Sequence, residues 1–224
     1  MTDNFNYAHF DTSGGERDTV TKKFNLAALP EDLQKIRLSA FERSIPTASD
    51  ETLCFLSTVI AAAKPENILE IGTAIGISGA VMLKICENAH LTTIEKNERL
   101  YSEALKTFSL LGLNERVSPV LGDGAAVMEN LVSSGKTYDF IFLDGPKAQY
   151  VKYLASIKKL LKRGGVLFAD DVLLFGWVTG EAPQKRKMLV QHIKEYINAV
   201  KSDSSFLTTV VDIGDGVALS VKIK

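Results

Sequence analysis

Residues 67–78 read Asn-Ile-Leu-Glu-Ile-Gly-Thr-Ala-Ile-Gly-Ile-Ser, and this stretch decides the fold. Its first five residues form a short, mostly apolar run, which indicates a buried strand. Gly72 follows and lets the chain turn tightly, and an apolar pattern with helical spacing begins at Ile77. A strand, a tight turn and a helix in this order predict one unit of a parallel sheet whose faces are covered by helices.

The same alternation of strand and helix recurs along the chain. Further strands are predicted at 91–95, 117–121, 139–143 and 165–169. Helical patterns follow at 77–87, 99–111, 125–134, 149–161 and 184–201. Two final strands, at 207–212 and 216–222, are predicted to pair as a hairpin around Gly214-Asp215-Gly216. We therefore predict an α/β fold with a doubly wound, mostly parallel seven-stranded sheet and a C-terminal antiparallel hairpin.

The part of the chain before this sheet is predicted to contribute an arm and helices. Residues 1–30 are polar and indicate a loose arm, whereas a helical pattern runs from Pro30 to about Lys64. The segment Ile45-Pro46-Thr47-Ala48 interrupts that pattern, because proline disfavours a helical conformation in the preceding residue. We therefore divide the chain into residues 1–64 and a main domain at 65–224.

Charge and hydropathy restrict the classes of function. The net charge is -1, so no global basic field indicates nucleic acid, and any RNA contact must come from a local patch. The longest apolar runs, such as 59–63 and 172–175, are too short to span a bilayer, and the first residues do not resemble a secretory signal. We expect a cytoplasmic protein with no membrane contact.

The strand ends indicate a nucleoside cofactor, because ligands of such sheets bind where the parallel strands end. The glycine pattern departs from the dinucleotide fingerprint, since Ala74 occupies the position of the glycine that lets a pyrophosphate approach. Glu95 ends the second strand, where a carboxylate can accept both hydroxyls of a ribose. Asp123 follows the third strand and either meets an adenine edge or caps the next helix.

Three carboxylates follow the fourth and fifth strands, whose ends are neighbours in the predicted sheet. Asp144 ends the fourth strand, and Asp170 and Asp171 follow the fifth. Crowded carboxylates repel one another, and a hard divalent cation relieves that repulsion, so the pattern favours Mg²⁺ or Mn²⁺. The alternative is that Asp170 or Asp171 only caps a turn. Lys147 lies three residues beyond Asp144, at a helix start that ordinarily disfavours a cation.

Four segments together carry a resemblance to a known family. They are Ile-Leu-Glu-Ile-Gly-Thr-Ala-Ile-Gly-Ile-Ser (68–78), Thr-Ile-Glu-Lys-Asn-Glu (93–98), Phe-Leu-Asp-Gly-Pro-Lys-Ala-Gln-Tyr (142–150) and Asp-Asp-Val-Leu (170–173). Through them, residues 45–224 resemble the class I, metal-dependent O-methyltransferases, the family of the catechol and caffeoyl-CoA enzymes. Within that family the sequence is most similar to the bacterial tRNA 5-hydroxyuridine methyltransferases.

The resemblance implies the cofactors and the roles of site residues. The methyl donor is expected to be S-adenosylmethionine and the metal Mg²⁺ or Mn²⁺, held by Asp144, Asp170 and Asp171. Lys147 is expected to be catalytic, acting with Asp144. A homodimer is expected, with residues 1–64 supplying lid and dimer contacts. The implied cofactor contacts are Ala48 in the lid, Glu70, Gly72, Ser78, Glu95, Asp123 and Asp144.

The sequence departs from the family's usual pattern after the fifth strand. The family usually has asparagine where this chain has Asp171. The extra charge is expected to tighten metal binding, but it opposes a negative oxygen on the substrate.

The resemblance also implies an acceptor, 5-hydroxyuridine at the wobble position of the tRNA anticodon loop. Its 5-hydroxyl lies beside the O4 carbonyl, an adjacent pair of oxygens like that of a catechol, and unpaired loop bases are the ones that proteins read by sequence. Lys185, Arg186 and Lys187 are expected to meet phosphates, and Phe175 and Trp177 to stack on a base.

Other interpretations of the acceptor side stay open from sequence alone. Three consecutive basic residues at a helix start also form a solvated face, and the two aromatic residues also pack against the core. A small molecule with vicinal oxygens, such as a catechol or a caffeoyl-CoA ester, would suit the same chemistry. A cofactor-binding or RNA-binding module without catalysis is a third interpretation, which the complete set of Asp144, Lys147 and Asp170 disfavours.

Overall fold

The computed structural model describes residues 30–224, and within them the chain forms a single seven-stranded sheet. The strands are β1 (Asn67–Ile71), β2 (His90–Glu95), β3 (Val117–Leu121), β4 (Tyr138–Leu143), β5 (Leu161–Ala169), β6 (Phe206–Val211) and β7 (Val217–Lys222). Their order in the sheet is β3-β2-β1-β4-β5-β7-β6. Only β7 runs against its neighbours, pairing antiparallel with both β5 and β6. The predicted doubly wound sheet with a C-terminal antiparallel hairpin is confirmed.

The helices cover both faces of this sheet. They are α1 (Glu31–Glu42), α2 (Asp50–Ala63), α3 (Ile77–Ile85), α4 (Glu98–Leu110), α5 (Gly124–Ser133), α6 (Tyr150–Leu160) and α7 (Lys187–Ser202). Buried side chains of α1 to α4 pack with Ile68 of β1, whereas those of α5, α6 and α7 pack with its neighbour Leu69. Successive strand residues point to opposite faces, so the apolar run of β1 supplies both cores.

The helices before the sheet belong to the first of these cores. Leu33 of α1 and Leu53 of α2 are fully buried in the cluster that contains Ile68 and Phe168. The predicted interruption is confirmed, because α1 ends at Glu42 and α2 starts at Asp50. The predicted arm at residues 1–30 lies outside the described residues, except for Pro30.

Two elements start three or four residues away from the predicted position, whereas the other bounds differ by at most two residues. Strand β5 begins at Leu161, directly after helix α6, so the last residue of the predicted helix already pairs with Tyr138 of β4. Helix α7 begins at Lys187, because a 3-10 turn occupies Gln184–Arg186. None of the helices within residues 30–224 combines the length and the apolar character that a membrane span requires.

Candidate active site

A cavity of about 1070 Å³ lies at the carboxyl edge of the parallel strands, where the sequence placed the cofactor. Its walls come from the ends of β1, β2 and β4, from the loops after β3 and β5, and from α1. The predicted site residues that line it are Ala48, Gly72, Glu95, Asp123, Asp144, Lys147, Asp171, Phe175, Trp177 and Arg186. Ser78 lines a smaller adjoining pocket, together with Ala48 and Gly72.

The turn after β1 brings two strand ends close together. Gly72 has a φ of +102°, and a Cβ on it would lie 2.3 Å from the carbonyl oxygen of Asp144. Any side chain at this position would therefore push the end of β4 away from β1. The glycine of the deciding sequence is needed because the two strand ends form the floor of the cavity.

Glu95 occupies the end of β2 as predicted. Its Oε2 accepts a hydrogen bond from the Ala74 backbone N–H at 2.9 Å, and its Oε1 accepts one from the Asn97 N–H at 2.8 Å. The carboxylate is thereby fixed at the cavity wall. Each oxygen keeps a further lone pair, so the pair of hydroxyls of a ribose can still be bound.

Asp123 takes the capping role that the sequence left open and also lies at the cavity wall, while its contact with an adenine edge stays a prediction. It caps α5, with Oδ1 accepting from the Ala125 N–H at 3.1 Å, and it lines the cavity. Lys96 donates to its Oδ2 at 3.2 Å. This hydrogen bond lowers the pKa of the Asp123 carboxyl, so the group stays ionised at the edge of the site.

Glu70 lies behind the cavity instead of lining it. Its side chain is fully buried and accepts hydrogen bonds from the hydroxyls of Ser78 and Thr93. Burial raises the pKa of Glu70 to about 7, although both hydroxyl donors oppose the shift. Glu70 is not among the residues that line the cavity, and its expected contact with the cofactor stays a prediction. Glu70 holds Ser78 and β2 in place from below.

The three predicted metal ligands converge. One carboxylate oxygen from each of Asp144, Asp170 and Asp171 lies within 4.8 Å of the others. Asp170 is 1% exposed, and Asp171 adopts a left-handed backbone with a φ of +56° that turns the chain at the end of β5. Burial, together with the neighbouring charge of Asp171, raises the pKa of Asp144 to about 6 and that of Asp170 well above its usual value.

Lys147 lies inside this cluster. Its Nζ donates to Asp144 Oδ1 at 2.6 Å and lies 2.8 Å from Asp171 Oδ2. Burial lowers the pKa of Lys147, but the surrounding carboxylates, Asp144 foremost, outweigh that effect and hold it well above its usual value. The carboxylates therefore hold the lysine as an ammonium ion, a form that can stabilise a negative oxygen.

The acidic cluster fits a hard divalent cation. Its donors are oxygens only, which is the preference of Mg²⁺ and Mn²⁺. Asp170 Oδ1 accepts from the Asp171 N–H at 2.8 Å, so the turn-capping role left open by the sequence is present as well. Asp170 Oδ2, however, is buried and has no hydrogen-bond partner within residues 30–224. A buried carboxylate oxygen without a partner is costly, and a cation would satisfy it.

The predicted acceptor residues divide into two groups. Phe175 and Trp177 line the cavity with ring centroids 5.1 Å apart, and Arg186 lines it beside them. Lys185 and Lys187 are exposed and do not line the cavity. The basic run is thus not one surface, because consecutive residues of a helical turn point in different directions.

Two parts of the cavity wall were not predicted from sequence. Asp215, in the hairpin between β6 and β7, is half buried, and its carboxylate accepts from the Phe175 backbone N–H. Burial raises the pKa of Asp215 to about 6. The polar Gly-Asp-Gly hairpin was the available signal, but only the tertiary fold shows that it reaches the site. The second part is a side of α1, where Arg37, Leu38 and Phe41 line the cavity, although the sequence predicted lid contacts only for residues 1–64 as a whole.

Comparison with known proteins finds a family match over most of the chain. The O-methyltransferase family model matches residues 20–223. Caffeoyl-CoA O-methyltransferase 2 from Populus trichocarpa is 28% identical over 189 residues, covering 81% of this chain and 76% of its own. Tapetum-specific methyltransferase 1 from Arabidopsis thaliana is 28% identical over 183 residues, covering 80% of this chain and 77% of its own.

Solved structures share the fold. A Staphylococcus aureus protein, provisionally named a caffeoyl-CoA O-methyltransferase, superposes with a TM-score of 0.83 at 28% identity, over 92% of this chain and 100% of its own. The O-methyltransferase TomG from Streptomyces achromogenes, solved in complex with S-adenosylmethionine, gives a TM-score of 0.80 at 22% identity, over 92% and 96% of the two chains.

Proposed function

Because the chain belongs to the O-methyltransferase family and is an S-adenosylmethionine-dependent enzyme, we propose that it methylates one of two adjacent oxygens on its acceptor. We propose further that this acceptor is 5-hydroxyuridine at the wobble position of tRNA, which becomes 5-methoxyuridine. The observation that carries the chemistry is the cluster of Asp144, Asp170 and Asp171 around Lys147, next to the cavity.

The cofactor half of the cavity suits S-adenosylmethionine. Glu95 offers two fixed carboxylate oxygens to the ribose hydroxyls, and the ionised Asp123 lies at the next strand end. Gly72 leaves the floor open beside Asp144, where the sulfonium would be attracted by the carboxylate. Ala48, in the segment between α1 and α2, lines the cavity together with Gly72, which supports the proposed lid.

Asp144, Asp170 and Asp171 would hold Mg²⁺ or Mn²⁺. Such an ion, when bound, lowers the pKa of an acceptor hydroxyl and fixes two neighbouring oxygens in place. Lys147 then has a separate task, because its ammonium group lies among these carboxylates and can hydrogen-bond a negative acceptor oxygen. The carboxylates of Asp144 and Asp171 also restrict Lys147 to one position. Methyl transfer depends strongly on such positioning.

The acceptor half of the cavity, which Phe175, Trp177 and Arg186 line, has groups that can bind a nucleobase. Phe175 and Trp177 present two aromatic rings at its wall, and stacking on aromatic side chains is how proteins hold unpaired RNA bases. Arg186 adds a cation beside them that can meet a phosphate. Lys185 and Lys187 lie outside the cavity and could meet phosphates further along the RNA. The resemblance to the tRNA enzymes is the other support for this acceptor.

A small-molecule acceptor is the second candidate, because the relatives named above include caffeoyl-CoA O-methyltransferases. A catechol or caffeoyl-type acceptor offers the same adjacent oxygens and would also pack against Phe175 and Trp177. A free catechol would not need Lys185 or Lys187, since it carries no phosphate. A module without catalysis is disfavoured by the complete set of Asp144, Lys147 and Asp170.

One experiment distinguishes the two acceptors. Purified enzyme is incubated with labelled S-adenosylmethionine and either tRNA from a strain lacking this gene or a panel of catechols and caffeoyl esters. Mass spectrometry of the nucleosides is expected to show 5-hydroxyuridine converted to 5-methoxyuridine. Efficient methylation of a catechol, with hydroxyuridine tRNA left unchanged, would establish the small-molecule function instead.

We also propose that the protein is a homodimer that acts in the cytoplasm, where its proposed tRNA substrate is found. Light scattering coupled to size-exclusion chromatography tests the first point, with twice the chain mass as the expected result. A monomer under all conditions that support activity would contradict it.

A further inference from the structure

Tyr150, the first residue of α6, connects the two strand ends that carry the acidic cluster. It is fully buried, and its hydroxyl lies 2.9 Å from the Leu143 carbonyl oxygen and 3.2 Å from the Asp170 carbonyl oxygen. Leu143 is the last residue of β4, and Asp170 follows the last residue of β5. The one hydroxyl proton is therefore shared between the carbonyl directly before one acidic residue and the carbonyl of another.

This contact lies where the sheet no longer holds the chain. The ladder between β4 and β5 ends at the pair Leu143 and Ala169, followed by one more bond, from the Asp170 N–H to the Leu143 carbonyl at 3.0 Å. Beyond it the backbone must turn through the left-handed Asp171. The Tyr150 hydroxyl lies within hydrogen-bond distance of the carbonyls of both Leu143 and Asp170. It therefore fixes the direction in which the chain leaves the sheet at this turn, and the carboxylates are fixed with it.

The ring of Tyr150 has a second contact with the site. The Nζ of Lys147 lies 5.4 Å from the ring centroid, within the range of a cation–π interaction. The face of the ring contacts the ammonium ion, whereas the hydroxyl faces the two backbone carbonyls and also hydrogen-bonds with Lys147. Replacing tyrosine by phenylalanine removes the hydroxyl with its contacts and keeps the contact of the ring.

We propose that Tyr150 is a positioning residue that sets the spacing of Asp144, Asp170 and Asp171 for the divalent cation. It touches neither the acceptor nor the cofactor and acts through the two backbone carbonyls. The inference rests on the proposed metal-dependent function of this cluster. Groups that orient metal ligands from behind typically change metal affinity by about 10-fold to 100-fold when they are removed.

Tyr196 of α7 offers a matched control. It is as fully buried as Tyr150, and the two rings pack edge to face with centroids 5.2 Å apart. The hydroxyl of Tyr196 has no hydrogen-bond partner among the described residues. Tyr196→Phe therefore removes the same atom from the same core without touching the backbone at the acidic cluster.

The test is Mn²⁺ binding, measured by calorimetry and by electron paramagnetic resonance on the full chain, for the unchanged protein, Tyr150→Phe and Tyr196→Phe. We expect Tyr150→Phe to raise the dissociation constant about 10-fold to 100-fold, with turnover recovering at saturating Mn²⁺, and Tyr196→Phe to leave it unchanged. Thermal melts confirm that each variant is folded.

The outcomes separate this inference from the function on which it rests. If the unchanged protein binds Mn²⁺ and Tyr150→Phe binds it equally well, the positioning role is wrong while the metal site stands. Equal losses in Tyr150→Phe and Tyr196→Phe would show a general effect of core packing and would overturn the inference too. If the unchanged protein binds no Mn²⁺, the metal-dependent function itself fails, and this role of Tyr150 with it.

Discussion

Carboxylates at the two halves of the sheet's carboxyl edge have opposite surroundings. At the ends of β2 and β3, Glu95 and Asp123 each accept hydrogen bonds from backbone N–H groups, and Lys96 adds a charge beside Asp123. At the ends of β4 and β5, Asp144, Asp170 and Asp171 are crowded together, and the ammonium ion of Lys147 pairs with Asp144 and Asp171.

The difference indicates what each half binds. A carboxylate already surrounded by donors is stable alone and ready for further neutral donors, such as the hydroxyls of a ribose. Burial and the charges of neighbouring carboxylates raise the pKa of Asp144 and Asp170. These groups therefore need additional positive charge to stay ionised. The first half therefore suits a nucleoside, and the second suits a cation.

The largest expected effect comes from removing one carboxylate charge from the crowded half, at the ends of β4 and β5. Asp170→Asn keeps the size of the side chain and one oxygen for the Asp171 N–H but removes a charge. Metal ions supply several kcal/mol to such reactions, so we expect turnover to fall by about 1000-fold. Binding of S-adenosylmethionine, measured by calorimetry, should stay unchanged. Turnover equal to that of the unchanged protein at the same metal concentration would contradict the role of Asp170.

A substitution at the other half, at the ends of β2 and β3, should affect the binding of S-adenosylmethionine instead of the metal dependence of turnover. Glu95→Ala removes charge-assisted hydrogen bonds to two hydroxyls, and we expect it to weaken S-adenosylmethionine binding by about 2–4 kcal/mol. Calorimetry measures the loss. Glu98→Ala is the control, because that carboxylate is exposed at the start of α4, outside the cavity. Unchanged affinity in Glu95→Ala would remove this residue from the cofactor site.

Glu70 extends the comparison to a carboxylate behind the cavity. Its two hydroxyl donors lower its pKa, but they do not offset the rise that complete burial causes. Its pKa in the folded protein is about 7, against an ordinary value of 4.5. The folded state therefore keeps a proton that the unfolded chain releases as the pH rises above 4.5, and the cost of the buried charge is complete above about pH 7.

We expect Glu70→Gln to remove this cost. Its stabilising effect should grow between pH 4.5 and about 7, up to about 3 kcal/mol, whereas below that range the two proteins should be alike. Urea unfolding at pH 4.5 and at pH 8 measures the difference. A constant effect at both pH values would show that the ionisation of Glu70 plays no part in stability.

Asp171→Asn reduces the crowding at the residue next to Asp170 and restores the pair usual in the resembled family. We expect the variant to remain active and to need roughly tenfold more metal for half-maximal turnover, since a less negative site binds cations less tightly. A metal titration of activity measures this change, with Asp170→Asn as the neighbouring comparison. Loss of all activity would show that the extra charge is essential in this protein.

The smallest effect is expected outside both halves, at the basic residues near α7. Replacing Lys185, Arg186 and Lys187 by alanine should raise the KM for hydroxyuridine tRNA and make the salt slope of binding shallower by up to about three units. Lys185→Ala with Lys187→Ala, which leaves Arg186 in the cavity, should give the shallower slope with a smaller rise in KM. Turnover of tRNA that is indifferent to all three changes would contradict phosphate contact there.

Local patterns predicted the strands and the acidic cluster well, for a physical reason. The bounds of β1 and β3 follow from short apolar runs, and parallel neighbours necessarily bring Asp144 close to Asp170. Glu70 was assigned to the cofactor by resemblance, but it shares a face of β1 with Ile68, so its side chain points toward α3 and Ser78.

Other parts of the site depend on tertiary packing that local patterns do not contain. Asp215 is about seventy residues from Asp144 along the chain and reaches the cavity only because β7 pairs with β5. The same holds for Leu38 and Phe41, which α1 brings to the cavity wall although they are 65% exposed. Exposed apolar residues on a helix do not by themselves reveal which cavity they border.

The central claim is that the crowded half of the sheet edge works through a divalent cation, and removing that cation tests it most directly. Methyl transfer to hydroxyuridine tRNA is measured before and after treatment with EDTA, with the metal content of the protein followed by elemental analysis. We predict that EDTA abolishes turnover, that Mg²⁺ or Mn²⁺ restores it, and that S-adenosylmethionine still binds in between. Full turnover by protein shown to be free of metal would contradict the account.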